Sequence, residues 1–114
     1  GWEPTSLQAF AAGATGWAPV VTNFLPNEAM AFFHAAVYQD DLTEAQTLWD
    51  RLFPICDIIC TKSHVRVGHT GLDILGRPVG PPRRPLRMLN NEDRTALAKA
   101  VDEAGAIAAP TKAA

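Results

Sequence analysis

Gly16-Trp17-Ala18-Pro19-Val20-Val21-Thr22-Asn23, GWAPVVTN in one-letter code, is the stretch on which the fold turns. It is an apolar run too short for a helix, bounded by Gly16 and Asn23 and carrying the β-branched pair Val20 and Val21. Such a run reads as one buried strand. Pro19 sits awkwardly in it, because proline brings no ladder donor. A strand also needs a neighbour for its backbone donors and acceptors, and no second strand is legible in the 114 residues. Its partner is expected to lie outside this sequence, which opens Gly1-Trp2-Glu3-Pro4 without an initiating Met and so reads as the middle of a longer protein.

Everything around this stretch reads as helix. Upstream, Leu7, Phe10 and Ala11 form an apolar stripe, and a helix is expected to end near Ala12 with Gly13 as a left-handed cap. Downstream, Pro26 opens a helix with Glu28 in its first turn and Met30, Phe33 and Val37 on its inward face. A longer helix follows, with Thr43 and Gln46 as a capping box and Ala45, Leu48, Trp49, Leu52, Cys56 and Ile59 at helical spacing. Pro54 is expected to kink or break it, and Trp49 and Phe53 belong to the core. Residues 63–77 form a further helix in which Gly68 and Gly71 signal close approach by a neighbour, with Gly76 closing it. The proline-dense PVGPPRRPL at 78–86 must run extended over a surface. A last helix starts from an Asn cap at 90–91, turns Leu97 and Val101 inward and stops at Gly105; the remaining residues read as a frayed tail. Taken alone, the chain is mostly α with one short strand.

Composition narrows the function classes. With 47% apolar residues the chain can bury one small core, and a formal charge of −2 offers no basic field for a phosphate backbone, so no nucleic-acid partner is expected. No apolar run approaches the ~20 residues of a membrane span. The simplest compartment is cytoplasmic. Cys56, Cys60 and His64 repeat at four-residue spacing. Three soft ligands on one helix face is the functional reading; two core thiols beneath a surface His is the plainer one, since a closed metal site lacks a fourth ligand. Neither a metal nor a cofactor is expected. A disulfide between these cysteines is disfavoured by helix geometry.

The order of the pieces carries more than any one of them. A Gly1-Trp2-Glu3 turn, a helix ending in Gly13-Ala14-Thr15-Gly16, the strand through Asn23, Pro26, the helix DLTEAQTLWDRLFP and the connection from Gly76 to Leu86 follow one another in turn. This order resembles the C-terminal part of the dihydrodipicolinate synthase and N-acetylneuraminate lyase family of pyruvate-dependent class I aldolases, from Gly1 to about Ala106. The resemblance implies a (β/α)8 barrel of which this chain supplies the end of strand seven at Gly1, strand eight from Trp17 to Val21 and the following helices, then a helical C-terminal extension. Residues 1–39 would be the last barrel pieces, 40–106 the extension and 107–114 a flexible tail.

What the resemblance implies chemically is a lyase forming or cleaving a C–C bond through a Schiff base between a lysine and pyruvate or another 2-keto acid. The lysine and the proton-shuttling tyrosine would precede Gly1, so no catalytic residue is expected in this chain, which would be inactive alone. Lys62, Lys99 and Lys112 lack the desolvated setting a Schiff-base lysine needs. Substrate-binding roles would fall to Gly1 and Glu3 in the turn after strand seven, with Glu3 accepting from substrate hydroxyls, and to Ala18, whose carbonyl would face pyruvate. Pro4 stands where sialic-acid lyases carry a second acid, and Val20 where lyases carry a hydroxyl. Without the resemblance, Glu3 reads as a solvated turn acid or an acid at a helix N-terminus. His69 falls near a lysine position of the family and reads as a packing or surface variant. Arg83 and Arg84 would tie the connection onto the barrel. The complete protein would be a homotetramer or homodimer. The alternative is a non-catalytic helical interaction module derived from such a barrel. On the first reading the isolated chain would be marginal or molten, because one unpaired strand leaves apolar faces uncovered.

Overall fold

A computed structural model describes residues 2–105. A 3-10 turn, Glu3–Thr5, leads into α1 (Ser6–Ala11), and a second 3-10 turn, Val21–Asn23, leads towards α2 (Pro26–Phe33). A π-helical turn, His34–Tyr38, continues α2, and α3 (Leu42–Lys62), α4 (His64–Ile74) and α5 (Asn91–Glu103) complete the order. Gly13 and Gly76, both at positive φ, follow the ends of α1 and α4 as the sequence predicts. There an L-residue with a Cβ would be strained.

The expected strand does not form. Residues 14–19 carry no regular secondary structure, and Val21, read as its last residue, opens a 3-10 turn. The reason is the one that marked the stretch as unusual: among the described residues no strand lies alongside to exchange ladder hydrogen bonds. The segment is held by side chains instead. The Trp17 ring sits edge-on to Phe10 and Phe32 with centroids at 5.8 and 5.4 Å, and Phe32 stacks on Trp49 at 4.9 Å. Aromatic contacts of this geometry add about 0.5–1.5 kcal/mol each beyond the area they bury.

α3 is the spine. It touches the first turn, α1, α2, α4 and α5, and its buried stripe is Ala45, Trp49, Leu52, Ile55, Cys56 and Ile59. Two expectations about it are corrected, and of the two outcomes expected at Pro54 the break does not occur. The N-cap is Asp41, whose Oδ1 accepts the Glu44 amide at 3.0 Å, while Thr43 already lies in the first turn. Asp41 with Glu44 offers the same cap spacing as Thr43 with Gln46, and the chain takes the earlier start. Pro54 does not end the helix: the stripe on either side of it packs continuously and holds the register. Phe53 is 41% exposed, on the flank of the stripe, so only Trp49 of that pair is core.

α2 also turns differently. Ala29 and Phe32 are buried while Met30 is exposed, so the inward face lies one residue away from the expected one. The wider π turn shifts the register again, burying Ala35 and Ala36 and leaving Tyr38 outside. In α4, Gly71 meets its expected neighbour: a Cβ there would lie 2.8 Å from Cδ2 of Phe24. Gly68 faces open space. Residues 77–90 run without helix or strand, as the prolines dictate. α5 starts from Asn90, whose Oδ1 accepts the Asp93 amide at 2.8 Å, and buries Leu97 and Val101. The tail assigned to 107–114 lies outside the described residues.

Candidate functional site

Of the three residues expected to bind substrate, Gly1 lies outside the described residues. Ala18 is exposed and borders a cleft of about 450 Å³ together with Trp2, Thr5, Phe10, Gly16 and Trp17. Among the described residues nothing donates a hydrogen bond to its carbonyl. Its neighbours, by contrast, are tied. Trp17 Nε1 donates to the Ser6 hydroxyl at 3.0 Å, and that hydroxyl donates to the Glu3 carbonyl at 2.7 Å. The Thr22 hydroxyl donates to the Pro19 carbonyl at 2.7 Å.

Glu3 is 7% exposed, which removes the reading of a solvated turn acid. Its Oε1 accepts the Val20 amide, seventeen residues away in sequence. Its Oε2 is buried without a hydrogen-bond partner among the described residues. The carboxylate lies near the two thiols of α3. Burial first, then the charge of Glu3, pushes the Cys56 thiol far above its ordinary value. The same two causes raise Cys60. Both cysteines are free and Cys56 is fully buried, so the core-thiol reading holds for Cys56. His64 leaves that face, because Ser63 at φ 95° separates α3 from α4. No cluster of three or more His, Cys, Asp or Glu suited to a metal ion occurs among the described residues.

Other polar positions settle into supporting roles. Lys62 pairs with Asp93 at 3.4 Å and Lys99, 77% exposed, lies 3.9 Å from Glu103; Lys112 is outside the described residues. The ties on the proline-rich connection come from α4. Arg66 donates to the carbonyls of Arg87 and Met88 at 2.9 and 3.3 Å, and Thr70 Oγ1 accepts the Leu89 amide at 3.1 Å. His69 Nδ1 meets the Gly80 carbonyl at 2.8 Å; since a carbonyl only accepts, that nitrogen carries the proton. Arg83 and Arg84 make no side-chain hydrogen bond among the described residues, where the connection is tied to α4 by Arg66. Sequence reading passed over Arg66 and Thr70. The one signal was that a segment unable to pair its own backbone needs partners from a neighbouring element.

The profile of the Dihydrodipicolinate synthetase family matches residues 1–104. The chain belongs to this family. Among curated members, it is 35% identical over 98 residues to the "Probable 5-dehydro-4-deoxyglucarate dehydratase" of Pseudomonas fluorescens (strain Pf0-1), covering 84% of this chain and 32% of that protein. It is 33% identical over 105 residues to the 4-hydroxy-tetrahydrodipicolinate synthase of Rhodopseudomonas palustris (strain BisA53), covering 92% and 35%. A crystal structure of dihydrodipicolinate synthase superposes with a TM-score of 0.83 at 27% identity, over 94% of this chain and 37% of that one. The chain thus spans about a third of the length of the family members it matches. The (β/α)8 class expected from the sequence holds at the level of the family, whose barrel this family member covers in part. No helix among its described residues is long and apolar enough to cross a membrane.

Proposed function

We propose that this chain is the C-terminal portion of a Schiff-base lyase, carrying the turn after barrel strand seven, the strand-eight segment and the helical extension. The observation that carries the reading is the family match along residues 1–104, nearly the whole chain. Within the family, the dehydratase branch is the preferred assignment, because several relatives named for 5-dehydro-4-deoxyglucarate dehydration align at 31–35% identity over most of this chain. The substrate is then a 2-keto sugar acid. An imine on its keto carbon acidifies the adjacent C–H, and loss of that proton with departure of a neighbouring hydroxyl as water completes the dehydration.

This chain's share of the site is Ala18, whose carbonyl faces the bound keto acid, with Gly1 and Glu3 in the adjoining turn. The lysine comes from residues beyond this chain: Lys62 is ion-paired, Lys99 is solvated, and Lys112 stands in the stretch the sequence marks as a tail. The complete enzyme works in the cytoplasm as a homodimer or homotetramer. Borohydride reduction in the presence of pyruvate tests the reading. The complete enzyme should gain the mass of one reduced pyruvyl adduct per subunit and the 114-residue chain none. An unlabelled complete enzyme, or a label on Lys62, Lys99 or Lys112, would sink it. One observation favours the second reading, a helical interaction module: the described residues gather a single connected core of their own.

A further inference from the structure

The backbone around Ala18 is pinned on both sides, and among the described residues the Ala18 carbonyl itself accepts no hydrogen bond. Trp17 is tied through Ser6 to the Glu3 carbonyl, Pro19 through Thr22, and Val20 through its amide to the Glu3 carboxylate. One residue, Glu3, therefore receives two of the three ties, one on its main chain and one on its side chain. Burying a carboxylate is costly unless strong donors meet it, and this one is spent on a backbone N–H seventeen residues away. A charge-assisted bond of that kind is about twice as strong as a neutral one.

We infer that Glu3 is a positioning residue that fixes the Ala18 carbonyl through the Val20 amide, and not an acceptor for substrate hydroxyls. The inference rests on the reading of Ala18 given above. Two observations separate it from the role first expected of Glu3. The Glu3 side chain is absent from the lining of the cleft that holds Ala18. Its remaining oxygen, Oε2, is buried without a hydrogen-bond partner among the described residues. A rim acid built to bind hydroxyls would present that oxygen to the cleft.

The test uses the complete enzyme with Glu3→Ala, Glu3→Gln and Ser6→Ala, read by borohydride trapping across a range of pyruvate concentrations and by turnover of the sugar acid. Loss of the tie in Glu3→Ala should raise half-saturating pyruvate by about tenfold or more, the scale of one hydrogen bond to a charged group. Glutamine keeps an acceptor oxygen for the Val20 amide, so Glu3→Gln should rescue pyruvate saturation to within about threefold, the scale of exchanging a charged for a neutral acceptor. Amide exchange at Val20 should quicken in Glu3→Ala and stay protected in Glu3→Gln. If Glu3→Ala fails to fold, Ser6→Ala takes its place: it removes the Trp17 tie alone and should weaken pyruvate saturation in the same direction. The inference is overturned if Glu3→Gln leaves Val20 protected yet loses sugar-acid turnover with pyruvate saturation unchanged, because Glu3 then acts on the substrate. It is equally overturned if no variant alters pyruvate saturation. A wild-type enzyme that traps no pyruvate at all instead removes the Schiff-base reading, and this inference goes with it.

Discussion

Cys56 shows how burial decides what a side chain can do. Its spacing with Cys60 offered two readings, ligand or core thiol, and the fold seals Cys56 completely beside a buried carboxylate. Both surroundings oppose a thiolate, so its folded-state pKa is raised and the neutral thiol is the native form. The sign for stability follows: below the ordinary thiol value of 9.0 the contribution is fully present, and it is lost as pH rises beyond it, because only the unfolded chain then ionises. Stability should fall by up to about 1.4 kcal/mol per pH unit above that value from this group. Urea titrations at pH 8 and pH 10 measure it, with Cys56→Ser as the control that flattens the slope. Glu3 belongs to the same scale. A lone acid in a Gly-Trp-Glu-Pro turn is written in the sequence, but its burial and its grip on Val20 depend on a neighbour seventeen residues away.

At the scale of elements, α4 carries two glycines that look alike in sequence and differ in space. A Cβ on Gly71 would meet the Phe24 ring at 2.8 and 2.9 Å, at Cδ2 and Cγ, next to the backbone where the ring cannot swing away easily. Gly71→Ala should destabilise by about 1–3 kcal/mol, the range for overpacking a tight contact. Gly68 has nothing within 4 Å of the same position, so Gly68→Ala should stabilise by about 0.5–1 kcal/mol through helix propensity and a less mobile unfolded chain. Thermal melts of the two variants check the opposite signs; two changes of the same sign would contradict the packing described. Helix existence was legible throughout, because apolar spacing, Asn90, Gly13 and Gly76 are local signals. Helix faces and starts were less so. The π turn after Phe33 and the cap at Asp41 are settled by how α2 and α3 meet, and periodicity within either helix does not contain that information.

At the scale of the molecule, two readings make different claims about cooperativity. Phe10, Phe32, Trp49 and Leu52 join α1, α2 and α3 into one core that α5 closes with Leu97 and Val101. A self-sufficient module should melt in one sharp transition. A barrel portion whose strand-eight segment wants a neighbour should melt broadly and bind an apolar dye before heating. Calorimetry of the 114-residue chain, with the calorimetric and van't Hoff enthalpies compared, separates them: equal enthalpies favour the module and unequal ones the barrel portion. The sequence by itself determined the helices, the family and the odd standing of GWAPVVTN, since periodicity, caps and motif order are carried by neighbours along the chain. Only the tertiary structure decided what became of that stretch. Strand pairing and burial depend on which groups meet across space, and among the described residues an aromatic cluster, the Ser6 hydroxyl and the Glu3 carboxylate hold the stretch.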